Sequence, residues 1–132
     1  MANGTIAFDT LQTSGQISGT ARSIDTDYLL NGSAKVWVHY NASQVITDSF
    51  NVTSVSDDAT GKATLTIAND MINANYSSTG GGSNGDASAT GTVVNPHTFA
   101  TGSVKLNTFA CSTSASLSDR SNNCQALHGE LA

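Results

Sequence analysis

The sequence predicts an all-β fold, an antiparallel β-sandwich of about seven short strands preceded by an extended N-terminal arm. Three observations predict it. Ser and Thr make up about a quarter of the 132 residues, with abundant Gly and Asn and almost no Glu, a composition poor in helix formers and rich in β- and turn-tolerant residues. Apolar residues, 38% of the chain, cluster in short runs that alternate with polar ones. Turn-forming clusters of Gly, Asn and Asp separate the runs.

Residues 1–27 carry isolated apolar side chains, among them Ile6, Phe8, Leu11 and Ile17, between Gly, Ser and Thr. They are too few to fold alone, so this stretch is expected to be an arm, or one or two short strands, that docks onto a partner or sister copies. The organised domain is expected to span residues 28–132. Ala34–Tyr40 alternates, with Val36, Val38 and Tyr40 on one face and Lys35, Trp37 and His39 on the other. Both faces carry bulk, which places Trp37 against a second layer or a neighbouring subunit.

Phe50–Val55 is read as the next strand, Asp57–Gly61 as a turn with Gly61 at positive φ, and Lys62–Ala68 as a strand with Ala63, Leu65 and Ile67 inward. Asn69–Ala74 is expected to form one helical turn that brings Met71 inward, and a strand to start at Tyr76. Thr79–Asp86 is too Gly-rich for a strand interior and reads as a flexible loop. Ala87–Val94 and Gly102–Ala110 are expected to pair around Asn95-Pro96-His97. A polar loop at Ser112–Asn123 then leads to a closing strand from Cys124 to Leu131.

The net charge of −5, with five Lys and Arg scattered along the chain, argues against nucleic acid as a partner. The sequence has no run of 18 apolar residues, so no membrane insertion is expected. The opening residues lack the pattern of a secretory signal, which predicts a protein that stays in its cell or leaves by lysis. Cys111 and Cys124 fit neither a redox nor a zinc spacing; a disulfide between them and two half-buried thiols are both compatible with the sequence.

There is no GxSxG, HExxH, P-loop or GxGxxG pattern, and no catalytic residue, metal or cofactor is predicted. His39, His97 and His128 are read as strand or loop histidines, and Asp57 and Asp58 as turn residues rather than an acid–base pair. The five Asn-x-Ser/Thr sequons, at Asn3, Asn31, Asn41, Asn51 and Asn75, follow from the abundance of Asn and Thr and are not read as glycan sites. The small side chains at candidate core positions predict a thin core that gains from self-association. Tyr40, Leu65, Ile67 and Met71, with Trp37 and Phe50, are the candidate core or oligomer residues.

A family resemblance adds to this reading. Asn31-Gly32-Ser33-Ala34-Lys35-Val36-Trp37-Val38, then Asp48–Asp57, Gly61 with the strand after it, and Met71-Ile72-Asn73-Ala74-Asn75-Tyr76 resemble a module of tail-fibre virion proteins of tailed bacteriophages, marine and cyanobacterial phages in particular. Asn123–Leu131 is similar to that module's closing strand, and Gly4–Thr13 to the fibre N-termini that attach to the particle. The similarity covers about two thirds of the chain.

It implies a structural, non-enzymatic virion protein and a homotrimer bound to other virion proteins of tail, baseplate or capsid. Ile72 stands where the module has proline, and the long repetitive shaft is absent. A short tail fibre or appendage that contributes to host attachment, or a capsid decoration protein, are the roles implied. Host-surface glycan would meet loop residues: Thr79, Gly80, Gly81, Gly82, Ser83, Asn84, Gly85 and Asp86 in one loop, Ser114, Ser116 and Asp119 in the other. Neither loop carries an aromatic platform for a sugar.

Overall fold

The computed structural model describes residues 10–13, 22–25, 32–85, 91–111 and 115–132. The chain divides into two units, Met1–Ser33 and Ala34–Ala132. In the first unit β1 (Thr10–Thr13) pairs antiparallel with β2 (Arg22–Asp25), and Leu11 lies opposite Ile24. Ile6, Phe8 and Ile17 lie outside the described residues.

The second unit contains β3 (Val36–Tyr40), β4 (Ile46–Phe50), β5 (Val52–Ala59), β6 (Lys62–Ile67), β7 (Ser77–Ser83), β8 (Gly91–Ala100), β9 (Ser103–Cys111), β10 (Ala115–Leu117) and β11 (Asn122–His128). They form two antiparallel sheets. One is four-stranded in the order β4-β3-β11-β7; the other is five-stranded in the order β10-β9-β6-β5, with β8 on β9. The fold is therefore all-β and β-sandwich-like, with more strands than the seven expected.

Alternation builds the core. Val36, Val38, Tyr40 and Leu127 from the four-stranded sheet join Leu65, Ile67, Val94, Val104 and Leu106 from the five-stranded sheet in one buried cluster. Met71 and Tyr76, from the connection between β6 and β7, complete it. Tyr40, Leu65, Ile67 and Met71 thus belong to the subunit's own core. Ala63, Leu65 and Ile67 point inward as expected, and β5 pairs with β6 around Gly61 at φ 65°. The Tyr76 hydroxyl lies 3.0 Å from the carbonyl oxygens of Ala100 and Ser103, and its ring meets Phe99 edge-on at 5.2 Å, pinning the β8–β9 turn to the core.

Several boundaries differ from the sequence reading. Phe50–Val55 is not one strand. Asn51 takes φ 58° and breaks it, so that β4 stays in the four-stranded sheet while β5 enters the other. Asn is among the few residues that adopt this left-handed backbone readily. Its side chain then holds the crossing: Nδ2 donates to the carbonyls of Lys35 and Asn69, both at 3.2 Å, and Oδ1 accepts from the backbone and side-chain nitrogens of Asn69, both at 2.8 Å.

Asn69–Ala74 is a bend rather than a helical turn, because Met71 and Ile72 bond outward to Thr101 and Glu130 instead of along their own segment. Asp57, Asp58 and Ala59 continue β5, and the reversal is Thr60-Gly61. Asn95-Pro96-His97 is not the reversal of the β8–β9 hairpin. Proline cannot donate to the ladder, but β8 shifts register between Pro96 and Thr98 and accommodates it, and the chain turns at Thr101-Gly102. The closing strand runs from Asn122 to His128, two residues earlier at its start and three at its end.

Asn51→Ala removes the amide contacts and leaves a β-carbon at positive φ, so urea denaturation should show a loss of about 3 kcal/mol. Burial pushes the Tyr40 phenol up to about 12, with the neighbouring Thr108 hydroxyl acting in the opposite direction. A folded-state value raised above the unfolded one of about 10 leaves this contribution intact below pH 10 and removes it as pH climbs towards 12. Stability measured in urea should fall by about 2–3 kcal/mol over that window, and by visibly less in Tyr40→Phe.

Candidate functional site

The alternation that sends Val36, Val38 and Tyr40 inward sends Trp37 and His39 to the outer face of the four-stranded sheet. The strand registers place their neighbours. One row runs Phe50–Trp37–Ala126–Thr79 across β4, β3, β11 and β7; the next runs Asp48–His39–Cys124–Gly81. Ala126 and Gly81 are short, so the sheet surface sinks between the indole on one side and Thr79 on the other. The result is an open trough of about 290 Å³ lined by Trp37, His39, Thr79, Gly80, Cys124 and Ala126.

Trp37 is 38% exposed and Phe50 53%, so neither belongs to the subunit's core. No second layer covers Trp37 within the described residues. Asp48 is exposed at the β4 edge, its Oδ1 accepting from the Ser49 nitrogen at 2.8 Å. The trough therefore combines one large aromatic side chain with a floor of small residues, and its lining is almost wholly apolar. Such a surface suits binding of a small, partly apolar ligand.

The expected loop at Thr79–Asp86 is corrected: Thr79, Gly80, Gly81, Gly82 and Ser83 lie in β7, and only Asn84 and Gly85 continue into the connection. Two of the three glycines, Gly80 and Gly82, are required by close neighbours. Gln125, buried to 2% exposure, projects under β7, where its Nε2 donates to Ser78 Oγ and to the Thr79 carbonyl. A β-carbon on Gly80 would lie within 2.5 Å of the Gln125 side chain and the Cys124 carbonyl, and one on Gly82 within 2.7 Å of the Asn122 carbonyl. Asp86 lies outside the described residues.

The second expected loop is also partly ordered as strand. Ser116 lies in β10 opposite Ala110. Asp119 serves the fold, since its Oδ1 accepts from the Gly61 nitrogen at 2.7 Å and fixes the β5–β6 turn. Ser114 lies outside the described residues. The two regions meet at the start of β11, where Asn122 is the register partner of Ser83 and its Nδ2 donates to Ser83 Oγ at 3.3 Å. Cys111 and Cys124 are both free thiols, carried by different sheets. Among the described residues, no group of three or more His, Cys, Asp and Glu side chains converges as a metal site would require.

A second uncovered row lies on the outer face of the five-stranded sheet, where Val93, Phe109 and Leu117 are register neighbours. Val93 is 50% exposed and the other two are half-buried. The far end of that face is polar, with Lys105 Nζ 3.7 Å from Asp58 Oδ2 and Thr64 Oγ1 donating to the same oxygen at 2.7 Å.

Adjacent glycines in β7 give a sharp test of this account. Gly80→Ala must displace Gln125 or the Cys124 backbone and should lower stability by about 2 kcal/mol or more in urea denaturation. Gly81→Ala meets nothing within 4 Å and should change stability by no more than about 0.5 kcal/mol.

No known family model matches the chain, and no match was found among curated proteins or solved structures.

Proposed function

We propose that this chain is a non-enzymatic structural subunit of a bacteriophage particle, a short tail fibre or tail appendage that contributes to host-surface attachment and works as a homotrimer. The observation that carries the reading is that each sheet keeps large apolar side chains uncovered on its outer face. Trp37 and Phe50 lie on one face, and Val93, Phe109 and Leu117 on the other. Two such surfaces on opposite faces are what an assembling, attaching module needs: one to meet sister copies, one to meet a ligand.

The Val93 row is the self-association surface in this reading. It contains no charged side chain, like the centres of obligate interfaces. The core behind it is made chiefly of Val and Leu with two Tyr, and copies sharing this row would add apolar burial to it. The arm of residues 1–27, with Leu11 in its strand pair, is the segment proposed to dock onto other virion proteins of tail, baseplate or capsid. Acidic charge keeps nucleic acid out of the partner set.

Some of the residues that carry the resemblance to phage tail-fibre modules fall at the joints of the fold, which supports the same reading. Asn51 switches sheets, Gly61 turns β5 into β6, and Met71 and Tyr76 close the core corner.

Sedimentation of the purified chain at micromolar concentration should give the mass of three chains, and Val93→Asp should give a folded monomer. A wild-type monomer under those conditions would contradict the trimer. Immunogold labelling of intact particles should mark the tail. Labelling of the head would replace the fibre role with capsid decoration, and labelling of neither would end the particle reading.

A further inference from the structure

We infer that Asn84 is a site of spontaneous deamidation, through which the folded chain gains a carboxylate, and in part an isoaspartyl backbone, at the end of β7. The reaction needs only this chain and water, so it stands whether or not the particle reading does.

The chemistry sets what such a site requires. The backbone nitrogen of the following residue attacks the side-chain carbonyl carbon of asparagine. A new C–N bond closes a five-membered succinimide, and the side-chain nitrogen leaves as ammonia with the proton that the attacking nitrogen gives up. Water then opens the ring at one of its two carbonyls and returns aspartate or isoaspartate. The attacking nitrogen must be free to turn, and its residue must carry no side chain that blocks the approach. Glycine meets the second demand.

Asn84-Gly85 meets both. The ladder between β7 and β11 ends at the pair Ser83–Asn122, and Asn84 is the first residue beyond it. Asn84 and Gly85 are both exposed, and Gly85 has φ 79°. A β-carbon on Gly85 would meet its nearest neighbour at 3.4 Å, an ordinary contact, so the backbone has room to turn. Among the described residues, no hydrogen bond holds the Asn84 amide or the Gly85 nitrogen. Two further Asn-Gly pairs, Asn3-Gly4 and Asn31-Gly32, have asparagines that lie outside the described residues.

Other asparagines lack one requirement or both. The Asn51 amide is tied to Lys35 and Asn69 and is followed by β-branched Val52. Asn69 donates its own side-chain nitrogen to Asn51. Asn123 lies inside β11, with Nδ2 donating to the carbonyls of Arg120 and Tyr40. Asn95 precedes Pro96, whose nitrogen has no proton to give up.

The product changes the surface where it forms. A carboxylate is ionised at neutral pH, so each event adds one negative charge to a chain of net −5. The isoaspartyl form also inserts a methylene into the backbone. Both changes fall beside the Ser83–Asn122 pair, where the two regions expected to face a receptor meet. The charge and shape of that junction therefore change with the age of the protein.

The test ages the native full-length chain for several weeks in mildly alkaline buffer at physiological temperature. Trypsin then releases Ala63–Lys105 as one peptide, which also contains Asn69 and Asn95. Tandem mass spectrometry should place a gain of about 1 Da on Asn84, at least tenfold faster than on Asn69 or Asn95. An isoaspartate-specific carboxyl methyltransferase should label the same residue.

Gly85→Ala should slow the conversion at least tenfold. Because its β-carbon sits at positive φ, Asn84→Gln is the second variant; it keeps Gly85, needs a less favourable six-membered ring, and should stay unconverted over the same period. The inference fails if Asn84 remains intact in the native chain; conversion confined to chain unfolded in guanidinium would show that the fold protects it. It fails equally if Gly85→Ala converts at the wild-type rate, or if Asn69 or Asn95 converts as fast as Asn84.

Discussion

A period of two governs this molecule. In β3, Val36, Val38 and Tyr40 are buried at 0%, 2% and 1% exposure, and the residues between them must face the other way whatever their size. Strand geometry leaves no alternative, since successive side chains leave opposite faces of the sheet. Burying Trp37 by a one-residue slip would expose all three partners, at a loss of about 1.5–3 kcal/mol for each large apolar side chain. The same constraint in β6, β9 and β11 aligns Leu65, Ile67, Val104, Leu106 and Leu127 into one core. The uncovered indole and the filled core are two consequences of one geometry.

For the two inner faces to meet, the chain must leave one sheet and join the other without losing phase. Asn51 does this between β4 and β5, and its amide satisfies backbone groups on both sides of the crossing. Gly61, held by Asp119, and Tyr76, bonded across the β8–β9 turn, fix the remaining corners. Polar side chains therefore set the topology here, and apolar ones supply the driving force. This division suits a sequence so rich in Ser, Thr and Asn.

The alternating runs at Val36–Tyr40 and Lys62–Ile67 were legible in the sequence because period and β-propensity agree there. The hairpin at Gly61 was legible because one residue type dominates positive φ. The Asn51 crossing was not, since an apolar run continues through it and Asn also occurs freely in loops. The β7 glycines misled for a physical reason: a glycine required by a close neighbour looks the same in sequence as one that frees a loop, and the neighbour, Gln125, lies 45 residues away from Gly80. The aromatic face was visible as Trp37 on the side opposite Val36 and Val38. Its partners Ala126 and Thr79 were not, because strand order across β3, β11 and β7 is a non-local fact.

The central claim is that the two sheets share one core and open as one unit. Native-state hydrogen exchange resolved by residue tests this most directly. The amides of Val38, Leu65, Val104, Leu106 and Leu127 should exchange with the same free energy, equal to that of global unfolding. A four-stranded sheet that exchanges at a distinctly lower free energy than the five-stranded sheet would contradict the account, because the inner faces would then not be holding each other.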